Sequence, residues 1–404
     1  MATIRSATQS LTYDDLDGDA LELRSRCEPE TPVVLRTDDA AVVAAALAAL
    51  ENWSSEVWLV PPGLESPALP SGATTLTGAD LAVGAPSDTS GAPVSPTKWV
   101  LFTSGTTGEP KPIVHTRTTL SRTVVARPDP TMVWGLLYDP NRMAGLQVLL
   151  QALTTRSSLV IPDLHAPLTA RLDTLVQGGV TALSATPSLW RQMLQAPQST
   201  ELGLRQITLG GEIADQRILD ALAARFPDAR IVHVFASTET GAAFSVRDGR
   251  AGFPVDFLDD APKGIELDIR DGVLHVFSPG VSTAGPDGFA STGDRVDVVD
   301  DRVVFLGRDS GVVNIGGNNV WPEVVETMLR EHDDVNDAVV TARPNPLMGN
   351  VLVATVELRP GVAADGMPKQ LRSWVRDRAP RTHVPATVDI VERLEISSTG
   401  KVIR

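Results

Sequence analysis

The chain has 404 residues, of which 42% are hydrophobic and 21% charged, the composition of an ordinary globular protein with enough apolar side chains for several cores. Its 50 acidic and 35 basic residues give a net charge of −15, which repels nucleic acid and anionic membranes and excludes both as primary partners. The single cysteine, Cys27, excludes an internal disulfide framework and a cysteine-based metal site, and it indicates a reducing, cytoplasmic compartment.

The first 97 or so residues predict a small α/β unit. It has a strand over Thr31–Leu35, an Ala-rich helix over Asp39–Leu50 and a strand over Glu56–Pro61. The apolar stretch of that helix is too short to span a bilayer, and the N-terminus lacks the apolar core of a leader peptide, so we expect the helix to be buried. Residues Glu65–Pro96 are rich in Pro, Ser, Gly and Thr and predict a loop.

The middle of the chain predicts a mostly parallel sheet covered by helices. Its strands and helix are Trp99–Phe102, Leu159–Pro162, Arg205–Leu209, the helix Asp215–Phe226, and Ile231–Phe235. After Ala251 short strands are separated by the dipeptides Asp271-Gly272 and Asp287-Gly288, which favour hairpin turns. This segment therefore predicts a smaller β-rich subdomain.

The segment from Gly311 onward predicts a compact α+β unit. Its elements are a helix over Pro322–Glu331, strands over Asp337–Ala342 and Val351–Leu358, a helix over Pro368–Arg378 and a strand over Thr387–Val391. The fold class is thus α/β, with a large N-terminal domain (1–308) of mostly parallel, helix-covered sheets with a small β-rich subdomain, and a small α+β C-terminal domain (309–404).

The strongest chemical signal is the string TSGTTGEPK, residues 103–111, directly after an apolar strand. Glycines let the backbone aim N–H groups at phosphate oxygens, hydroxyls add donors, and a lysine adds positive charge. The residues concerned are Thr103, Ser104, Gly105, Thr106, Thr107, Gly108 and Lys111. The spacing is not that of a Walker A loop, and the ordinary alternative is a surface turn.

This string resembles the phosphate loop of the adenylate-forming superfamily, which includes acyl- and aryl-CoA ligases, peptide-synthetase adenylation domains and luciferase. Further signatures of the superfamily follow in the expected order over about residues 30–404. They are Leu209-Gly210-Gly211-Glu212, Ala236-Ser237-Thr238-Glu239-Thr240-Gly241, Ser291-Thr292-Gly293-Asp294, Gly307-Arg308 with Gly316-Gly317, Pro322 and Glu326, and Ser398-Thr399-Gly400-Lys401.

The resemblance implies a role for each matched residue, and each has an ordinary alternative. A carboxylate at Glu239 suits Mg²⁺ on the phosphates, although it could be an exposed loop residue. Asp294, in a turn at a strand edge, would accept from the ribose hydroxyls, and Arg308 would bind ribose or phosphate near a hinge. Lys401 would neutralise charge at the α-phosphate, although three residues from the C-terminus a flexible tail is the base expectation. Lys111 would assist at the phosphates.

The remaining matched residues are implied to surround the nucleotide, and they are Gly210, Gly211, Glu212, Ala236, Ser237 and Thr238. The implied reaction has two steps and uses ATP and Mg²⁺. A carboxylate first forms an acyl-adenylate, and a thiol of CoA or of a carrier protein then displaces AMP. Gly316 and Gly317 would line the thiol tunnel after the C-terminal domain, which is mobile in this superfamily, rotates.

The chain departs from the superfamily pattern at several positions. The part before Thr103 is shorter than in most members. Ser310 replaces the usual hinge aspartate, so that Gly311 is offered as the hinge, because glycine tolerates large backbone changes. Asn314 stands where many members carry lysine, which makes the thiol step less secure than adenylation.

Candidate substrate contacts lie mostly in the segment Trp134–Gly145. Arg142 stands where CoA ligases often present an aromatic residue or histidine, so it could hold an anionic substrate or instead point to solvent beside Asp139. An aromatic wall is predicted from Phe235 above all, then Trp134, Tyr138 and Phe244, each of which could simply be core. With Gly145 and Gly241 these residues favour a small aromatic acid as the substrate.

Three functions compete at this stage. The leading one is an ATP-dependent acid ligase acting on a small-molecule acid, with CoA or a carrier protein as the thiol partner. The second keeps the adenylation but changes the acceptor, as in amide synthetases or in enzymes that activate nitrite to diazotise an amine. The third is a non-catalytic nucleotide-binding homologue. No oligomeric state follows from the sequence.

Overall fold

The structure is a computed structural model. It describes residues 2–6, 10–61, 63–64, 68–78, 95–102, 111–122, 124, 127, 129–238, 241–278, 285–397 and 400–403. Within the described part of the chain, no helix combines the length and apolarity that crossing a bilayer demands.

The helices are short, and several begin at capping side chains. They are α1 (Tyr13–Ser25), α2 (Ala40–Ala49), α3 (Arg117–Leu120), α4 (Met143–Thr155), α5 (Leu168–Gln177), α6 (Pro187–Gln195), α7 (Gln216–Arg225), α8 (Pro322–Arg330) and α9 (Met367–Arg376). Asp39, for example, accepts a hydrogen bond from Ala41 N, and Asp215 accepts one from Ile218 N. Such caps satisfy backbone N–H groups that have no partner within the helix.

Two mostly parallel sheets form the large N-terminal part. The strands of this part are β1 (Thr3–Ser6), β2 (Ser10–Thr12), β3 (Val33–Arg36), β4 (Glu56–Leu59), β5 (Thr74–Thr77), β6 (Lys98–Phe102), β7 (Pro112–His115), β8 (Val133–Gly135), β9 (Ser158–Ile161), β10 (Ala182–Ala185), β11 (Gln206–Gly210), β12 (Arg230–Ser237) and β13 (Gly241–Val246). One sheet has the order β5-β3-β4-β6-β7, and the larger one has the order β13-β12-β11-β10-β8-β9-β1-β2. Helices α1, α2 and α4 share one buried core with strands of both sheets.

The rest of the chain forms antiparallel and mixed sheets. Its strands are β14 (Phe253–Pro254), β15 (Glu266–Arg270), β16 (Val273–Phe277), β17 (Phe289–Val299), β18 (Arg302–Arg308), β19 (Val313–Ile315), β20 (Asn318–Val320), β21 (Val335–Asn345), β22 (Gly349–Leu358) and β23 (Thr387–Val391). Strands β14–β18 form an antiparallel sheet, β19 and β20 a hairpin, and β21–β23 a three-stranded sheet that packs with α8 and α9. The predicted fold class is confirmed.

Most predicted elements lie within about two residues of the observed ones, although β21, predicted to end at Ala342, runs on to Asn345. The N-terminal helix α1 was not predicted, although its buried residues Tyr13, Leu16, Ala20 and Leu23 recur at the spacing of a helix face. Part of the predicted 65–96 loop is strand β5, which pairs in parallel with β3. Asp294 lies not in a turn at a strand edge but within β17, an interior strand of its sheet, where Gly293 takes φ +69°.

Candidate active site

A cavity of about 970 Å³ lies against the larger sheet. Strands β8, β10, β11 and β12 are parallel, so their carboxyl ends meet at one edge of the sheet, where ligands bind in open α/β folds. The cavity residues at this edge are Ser184, Thr186, Gly210, Gly211, Ala236, Ser237, Thr238 and Lys401. The structure thus brings together the signatures after β11, at the end of β12 and at the C-terminus.

Gly211, directly after β11, lies beside the C-terminal lysine. Its backbone takes φ +82°, a left-handed conformation that side chains with a Cβ rarely adopt. A Cβ atom at this position would lie 3.5 Å from Cε of Lys401 and 3.6 Å from the methyl carbon of Thr186. A glycine here therefore keeps the backbone open beside the lysine.

Lys401 is held in a hairpin and is not part of a flexible tail. Ile396 and Val402 form an antiparallel bridge, Ser397 N donates to Lys401 O at 2.7 Å, and Ile403 N donates to Glu395 O at 2.9 Å. The tail expected from chain position alone is wrong, because these backbone bonds fix the segment around the lysine. Its side chain consequently enters the cavity from a fixed support.

Two side chains of the N-terminal part anchor this hairpin. The hydroxyl of Thr186 caps α6 by accepting from Leu189 N, and it donates to the carbonyl oxygen of Gly400. Glu212 accepts from Ser188 N at 3.0 Å through one carboxylate oxygen and from Val402 N at 3.3 Å through the other. Glu212 therefore ties the sheet edge, α6 and the hairpin together, a role that its motif did not reveal.

Asp294 and Arg308 are cross-strand partners on β17 and β18. Nη1 of Arg308 donates to Oδ1 of Asp294 at 2.9 Å and to the carbonyl oxygen of Thr292 at 2.7 Å. Burial raises the pKa of Asp294, while Arg308 and, more weakly, Lys401 act in the opposite direction. The charge of Lys401 thus reaches this carboxylate, although Asp294 and Arg308 are not among the residues that line the cavity.

Part of the predicted phosphate machinery lies outside the described residues, namely Thr103, Ser104, Gly105, Thr106, Thr107, Gly108 and Glu239. Lys111 is described and exposed, and it immediately precedes β7. In the same strand His115 is buried, and its Nε2 donates to the carbonyl oxygen of Thr238 at 2.7 Å. His115 therefore fixes the backbone just before Glu239, and no motif had singled it out.

Three of the predicted substrate contacts line the cavity: Trp134, Tyr138 and Arg142. Arg142 lines the cavity, as one of its two predicted orientations requires. It also lies beside Asp139, with its Nε 3.7 Å from Oδ2 of that residue. Its Nη1 also donates to the carbonyl oxygen of Phe102 at 3.1 Å. Tyr138 is 5% exposed, and burial raises its pKa above the ordinary value.

Phe235, the preferred aromatic wall residue, faces away from the cavity. Successive strand residues point to opposite faces, and the cavity takes Val232, Val234 and Ala236 from β12. Phe235 stacks instead on Phe244 and Phe305, with ring centroids 5.2 and 5.4 Å away. These aromatic side chains belong to the core of the β-rich sheet, so the prediction of a wall at Phe235 is wrong.

The glycines predicted to contact the substrate or to line the thiol tunnel are not among the residues that line the cavity. A Cβ on Gly145 would lie 2.1 Å from the carbonyl oxygen of Asp139, so this glycine serves the close packing of α4. Gly241 begins β13 opposite Ser237. Gly316 and Gly317 form the exposed turn of the β19–β20 hairpin, away from the cavity in this conformation, and Gly317 N donates to Asn314 Oδ1 at 3.1 Å.

Sequence comparison identifies two family models along the chain. Residues 6–285 match AMP-binding enzyme, and residues 324–401 match AMP-binding enzyme C-terminal domain. The 2-succinylbenzoate–CoA ligase of Listeria monocytogenes is 26% identical over 331 residues, 76% of this chain and 68% of the relative. The fatty acid–[acyl-carrier-protein] ligase ScoC of Streptomyces coeruleorubidus is 25% identical over 343 residues, 75% of this chain and 65% of the relative.

Structural comparison agrees with this at the level of the fold. A benzoate CoA ligase from Burkholderia xenovorans LB400 superposes with a TM-score of 0.78 at 20% identity, covering 100% of this chain and 95% of that one. The alignments to the two curated ligases and to the acyl-coenzyme A synthetase ACSM5 of Mus musculus span 59% to 68% of the relatives' length. Because the first family model alone matches well over half of the residues, the chain belongs to the AMP-binding enzyme family.

Proposed function

We propose that the protein is an ATP-dependent, AMP-forming acid ligase that makes an acyl- or aryl-adenylate and transfers the acyl group to a thiol. The observation that carries this proposal is the position of Lys401, which enters the cavity beside Gly211 and within electrostatic reach of Asp294. A lysine on a separate hairpin that points into a cavity at the carboxyl ends of parallel strands suits a reaction in which negative charge develops on phosphate.

In the first step a carboxylate oxygen of the acid attacks the α-phosphorus of ATP. The bond from that phosphorus to the oxygen bridging to the β-phosphate breaks, and pyrophosphate leaves with the electron pair. The ammonium group of Lys401 stabilises the charge that develops on the α-phosphate oxygens. Asp294 accepts from the ribose hydroxyls and so orients the nucleotide, while Arg308 holds that carboxylate in place.

Mg²⁺ would neutralise charge on the phosphate oxygens, and Glu239 remains the predicted ligand. Within the described residues no group of three or more His, Cys, Asp or Glu side chains forms a metal site. A single carboxylate together with phosphate oxygens and water suits Mg²⁺, which seldom takes an all-protein cage. The phosphate-loop residues 103–108 and Lys111 remain the proposed partners of the β- and γ-phosphates.

In the second step the thiol of CoA or of a carrier protein attacks the acyl carbon, and AMP leaves. We propose that residues 309–404 rotate as a unit for this step, which withdraws Lys401 and brings Gly316 and Gly317 to the site. Gly311 does not have a positive φ in this conformation, whereas Gly307 takes φ +137° directly before Arg308.

A cytoplasmic location fits the single buried Cys27, and a small aromatic acid remains the preferred substrate.

The test is mass spectrometry of reactions containing Mg²⁺, ATP and a panel of small acids, each with CoA, with an amine, with nitrite, or alone. We expect pyrophosphate and an adenylate from at least one acid, and a thioester when CoA is present. Lys401→Ala should lower the rate of pyrophosphate release by about 100-fold or more while ATP still binds. Lys369→Ala, which changes an exposed lysine of α9, is the control and should leave the rate unchanged.

The other functions give different products. AMP that forms only with an amine or with nitrite would move the assignment to an amide synthetase or a diazotising enzyme. If the wild type and Lys401→Ala bind ATP equally well and neither turns it over, the protein is a non-catalytic nucleotide-binding homologue and the ligase proposal is contradicted.

A further inference from the structure

The cavity extends beyond the carboxyl ends of the parallel strands, the edge of the sheet at which we place the nucleotide. One wall is helix α4, whose lining residues run from Met143 to Thr155, roughly 18 Å at the rise of an α-helix. Strand β12 also lines the cavity, from Arg230 to Ser237, and the span from Arg230 to Ala236 alone is roughly 20 Å at the rise of a strand. The two elements give similar lengths, so the cavity is an elongated channel along one face of the sheet.

The lining of this channel changes from one end to the other. Lys401 and Gly211 lie at the nucleotide end, and the apolar side chains of Trp134, Val148, Val232 and Val234 line the middle. The far end is charged, with Arg127, Arg205, Arg230 and Arg247 against Asp129 and Asp228. This end therefore carries a net positive charge in a protein whose total charge is −15.

One of the far-end arginines is already engaged by the protein. Nη2 of Arg205 lies 3.6 Å from Oδ2 of Asp129, and its Nη1 donates to Oγ1 of Thr131 at 2.8 Å. The charges of Arg205 and Asp129 therefore compensate each other at this end of the channel. Arg205 is consequently a poor candidate for binding a ligand and a good control.

Arg230 and Arg247 both line this end of the channel, Arg247 directly after the end of β13. Ser245 of β13 pairs with Val234 of β12, and Arg247 follows two residues later on the same face of the sheet as Arg230. Within the described part of the chain, neither arginine forms an ion pair with a carboxylate. Nε of Arg230 donates to the neutral amide oxygen of Gln206 at 2.9 Å, and Arg247 reaches only the hydroxyl of Ser245 at 3.5 Å.

Both arginines are exposed at this end of the channel, and Asp228 is the lining carboxylate there that Arg205 does not already engage. Burial, and then the neighbouring charge of Arg247, lower the pKa of Arg230 below its ordinary value. The two guanidinium groups repel each other at this end of the channel, and each carries several N–H donors. An oxyanion placed between them would relieve the repulsion and accept charge-assisted hydrogen bonds.

We propose that Arg230 and Arg247 bind a second anionic group of the acid substrate, at the end of the channel opposite to Lys401. This proposal rests on the proposed function, because it takes the reacting carboxylate to lie at the nucleotide end. The substrate class is an elongated acid with the reacting carboxylate at one end, an apolar middle, and a carboxylate or comparable oxyanion at the other. An aromatic ring in the middle would lie beside Trp134.

The experiment compares linear dicarboxylic acids of increasing length, and benzoic acids with a para chain ending in carboxylate, with the monomethyl ester of each at the far end. The ester keeps the length and removes the second charge. At the length that spans the channel, we expect kcat/KM for pyrophosphate release to be at least about 10-fold higher for the diacid than for the ester. Arg230→Gln and Arg247→Gln should each abolish most of that preference, whereas Arg205→Gln should leave it intact.

Calorimetric binding of the same acids separates this proposal from the proposed function. If diacids bind more tightly than esters and the preference disappears in Arg230→Gln, the second anion site stands whatever the turnover. Equal binding and equal kcat/KM of diacids and esters at every length would overturn it, while adenylate formation from either class would still support the ligase. A preference that survives in both Arg230→Gln and Arg247→Gln would also overturn it.

Discussion

Thr186 shows how one side chain connects two distant parts of the chain at the active site. Its hydroxyl accepts from Leu189 N, as the cap of α6, and donates to the carbonyl oxygen of Gly400, the residue before Lys401. A hydroxyl can make both bonds at once, and an apolar side chain of similar shape can make neither. The position of the lysine therefore depends on a residue that no motif contains.

We predict that Thr186→Val lowers kcat for pyrophosphate release by about 10-fold or more and changes the KM for ATP little. The physical reason is that the hairpin loses its anchor while the nucleotide contacts remain. Steady-state kinetics measure the split between kcat and KM, and Thr186→Ser should restore the rate because it keeps the hydroxyl. Loss of activity in both variants, or a change in KM alone, would contradict the anchoring role.

We predict that nucleotide binding depends on pH through the ionisation of Asp294. Burial raises the pKa of its carboxyl group, and the ionised form is the one that accepts two ribose hydroxyls. Affinity for ATP should therefore fall as the pH drops from neutral through this raised pKa, and in Asp294→Asn it should be weaker and independent of pH over that window. Fluorescence titration of ATP measures both.

The control for this prediction is Asp297→Asn, which changes an exposed carboxylate on the same strand. It should leave the pH profile of the wild type unaltered. A profile that persists unchanged in Asp294→Asn would assign the titration to another group.

The sequence indicated many individual residues of the candidate site, because each motif is a short stretch of the chain that can be recognised without knowing the fold. Gly211 and Lys401 line the cavity, and Asp294 pairs with Arg308, whereas their roles toward a nucleotide stay predictions. His115 was missed because its partner, the backbone of Thr238, lies far away along the chain. Phe235 was misassigned because the choice of sheet face depends on which layer covers each side, and sequence alternation alone does not fix this.

At the scale of elements, a buried ion cluster joins α6 and the start of α7 to α8 and β21. Arg191 contacts Oδ2 of Asp215 and lies 3.8 Å from Oδ2 of Asp337. Arg330 lies 2.6 Å from Oδ1 of Asp337 and 3.3 Å from Oε2 of Glu326. All five side chains are at most 13% exposed, so each charge depends on the others for compensation.

The cluster shifts the pKa values of Asp337 and Arg330 in the directions expected for mutual stabilisation. Burial alone would raise the pKa of Asp337, but Arg330 and Arg191 hold it below its ordinary value. Burial alone would likewise lower the pKa of Arg330, yet Asp337, Glu326 and Asp215 hold it above the ordinary value. The contribution of Asp337 to stability is therefore present above its unfolded pKa and is lost as the pH falls through its lowered folded pKa.

We predict that Arg191→Met lowers the free energy of unfolding by about 3–5 kcal/mol, because it leaves two buried carboxylates short of a counter-charge. Urea denaturation followed by fluorescence measures the change. The matched control is Arg250→Met, which breaks the exposed pair of Arg250 and Asp301 and should cost at most about 1 kcal/mol. Similar decreases in the free energy of unfolding in the two variants would show that the buried cluster stabilises the fold no more than an exposed ion pair does.

At the scale of the whole molecule, the contacts between the C-terminal sheet and the rest hold the chain in one conformation. Besides the cluster, Glu357 is 1% exposed and accepts from Gln195 of α6 at 2.9 Å, and Arg217 of α7 lies 3.3 Å from Asp333. Glu357 also accepts from Leu394 N at 2.8 Å, shortly before the hairpin that carries Lys401. Rotation of residues 309–404 would have to break the contacts with α6 and α7.

We predict that a covalent bridge across this junction separates the two steps of the reaction. In Arg217→Cys/Asp333→Cys a short bis-maleimide should join the two new thiols, because the native Cys27 is buried and its thiol has a pKa raised by burial to about 11. The bridged enzyme should still release pyrophosphate, but it should lose thioester formation with CoA. Single-turnover assays with each acceptor measure the two steps.

The control bridge joins Arg250→Cys and Asp301→Cys within the N-terminal part, where native side chains lie 2.6 Å apart, and should impair neither step. Undiminished thioester formation in the enzyme bridged at Arg217 and Asp333 would exclude rotation of the C-terminal unit. Loss of both steps would show that the bridge disturbs the adenylation conformation itself.

The sequence by itself determined the fold class, the order of the elements and the residues of the nucleotide motifs, because hydrophobic periodicity, turn residues and signatures are local properties of the chain. Only the tertiary structure decided which side chains meet. The anchoring of Lys401 by Thr186 and Glu212, the ion cluster around Arg330, and the channel that ends at Arg230 and Arg247 all join residues distant in sequence. Such contacts depend on sheet order and on the face that each strand presents, and both follow from how the layers pack.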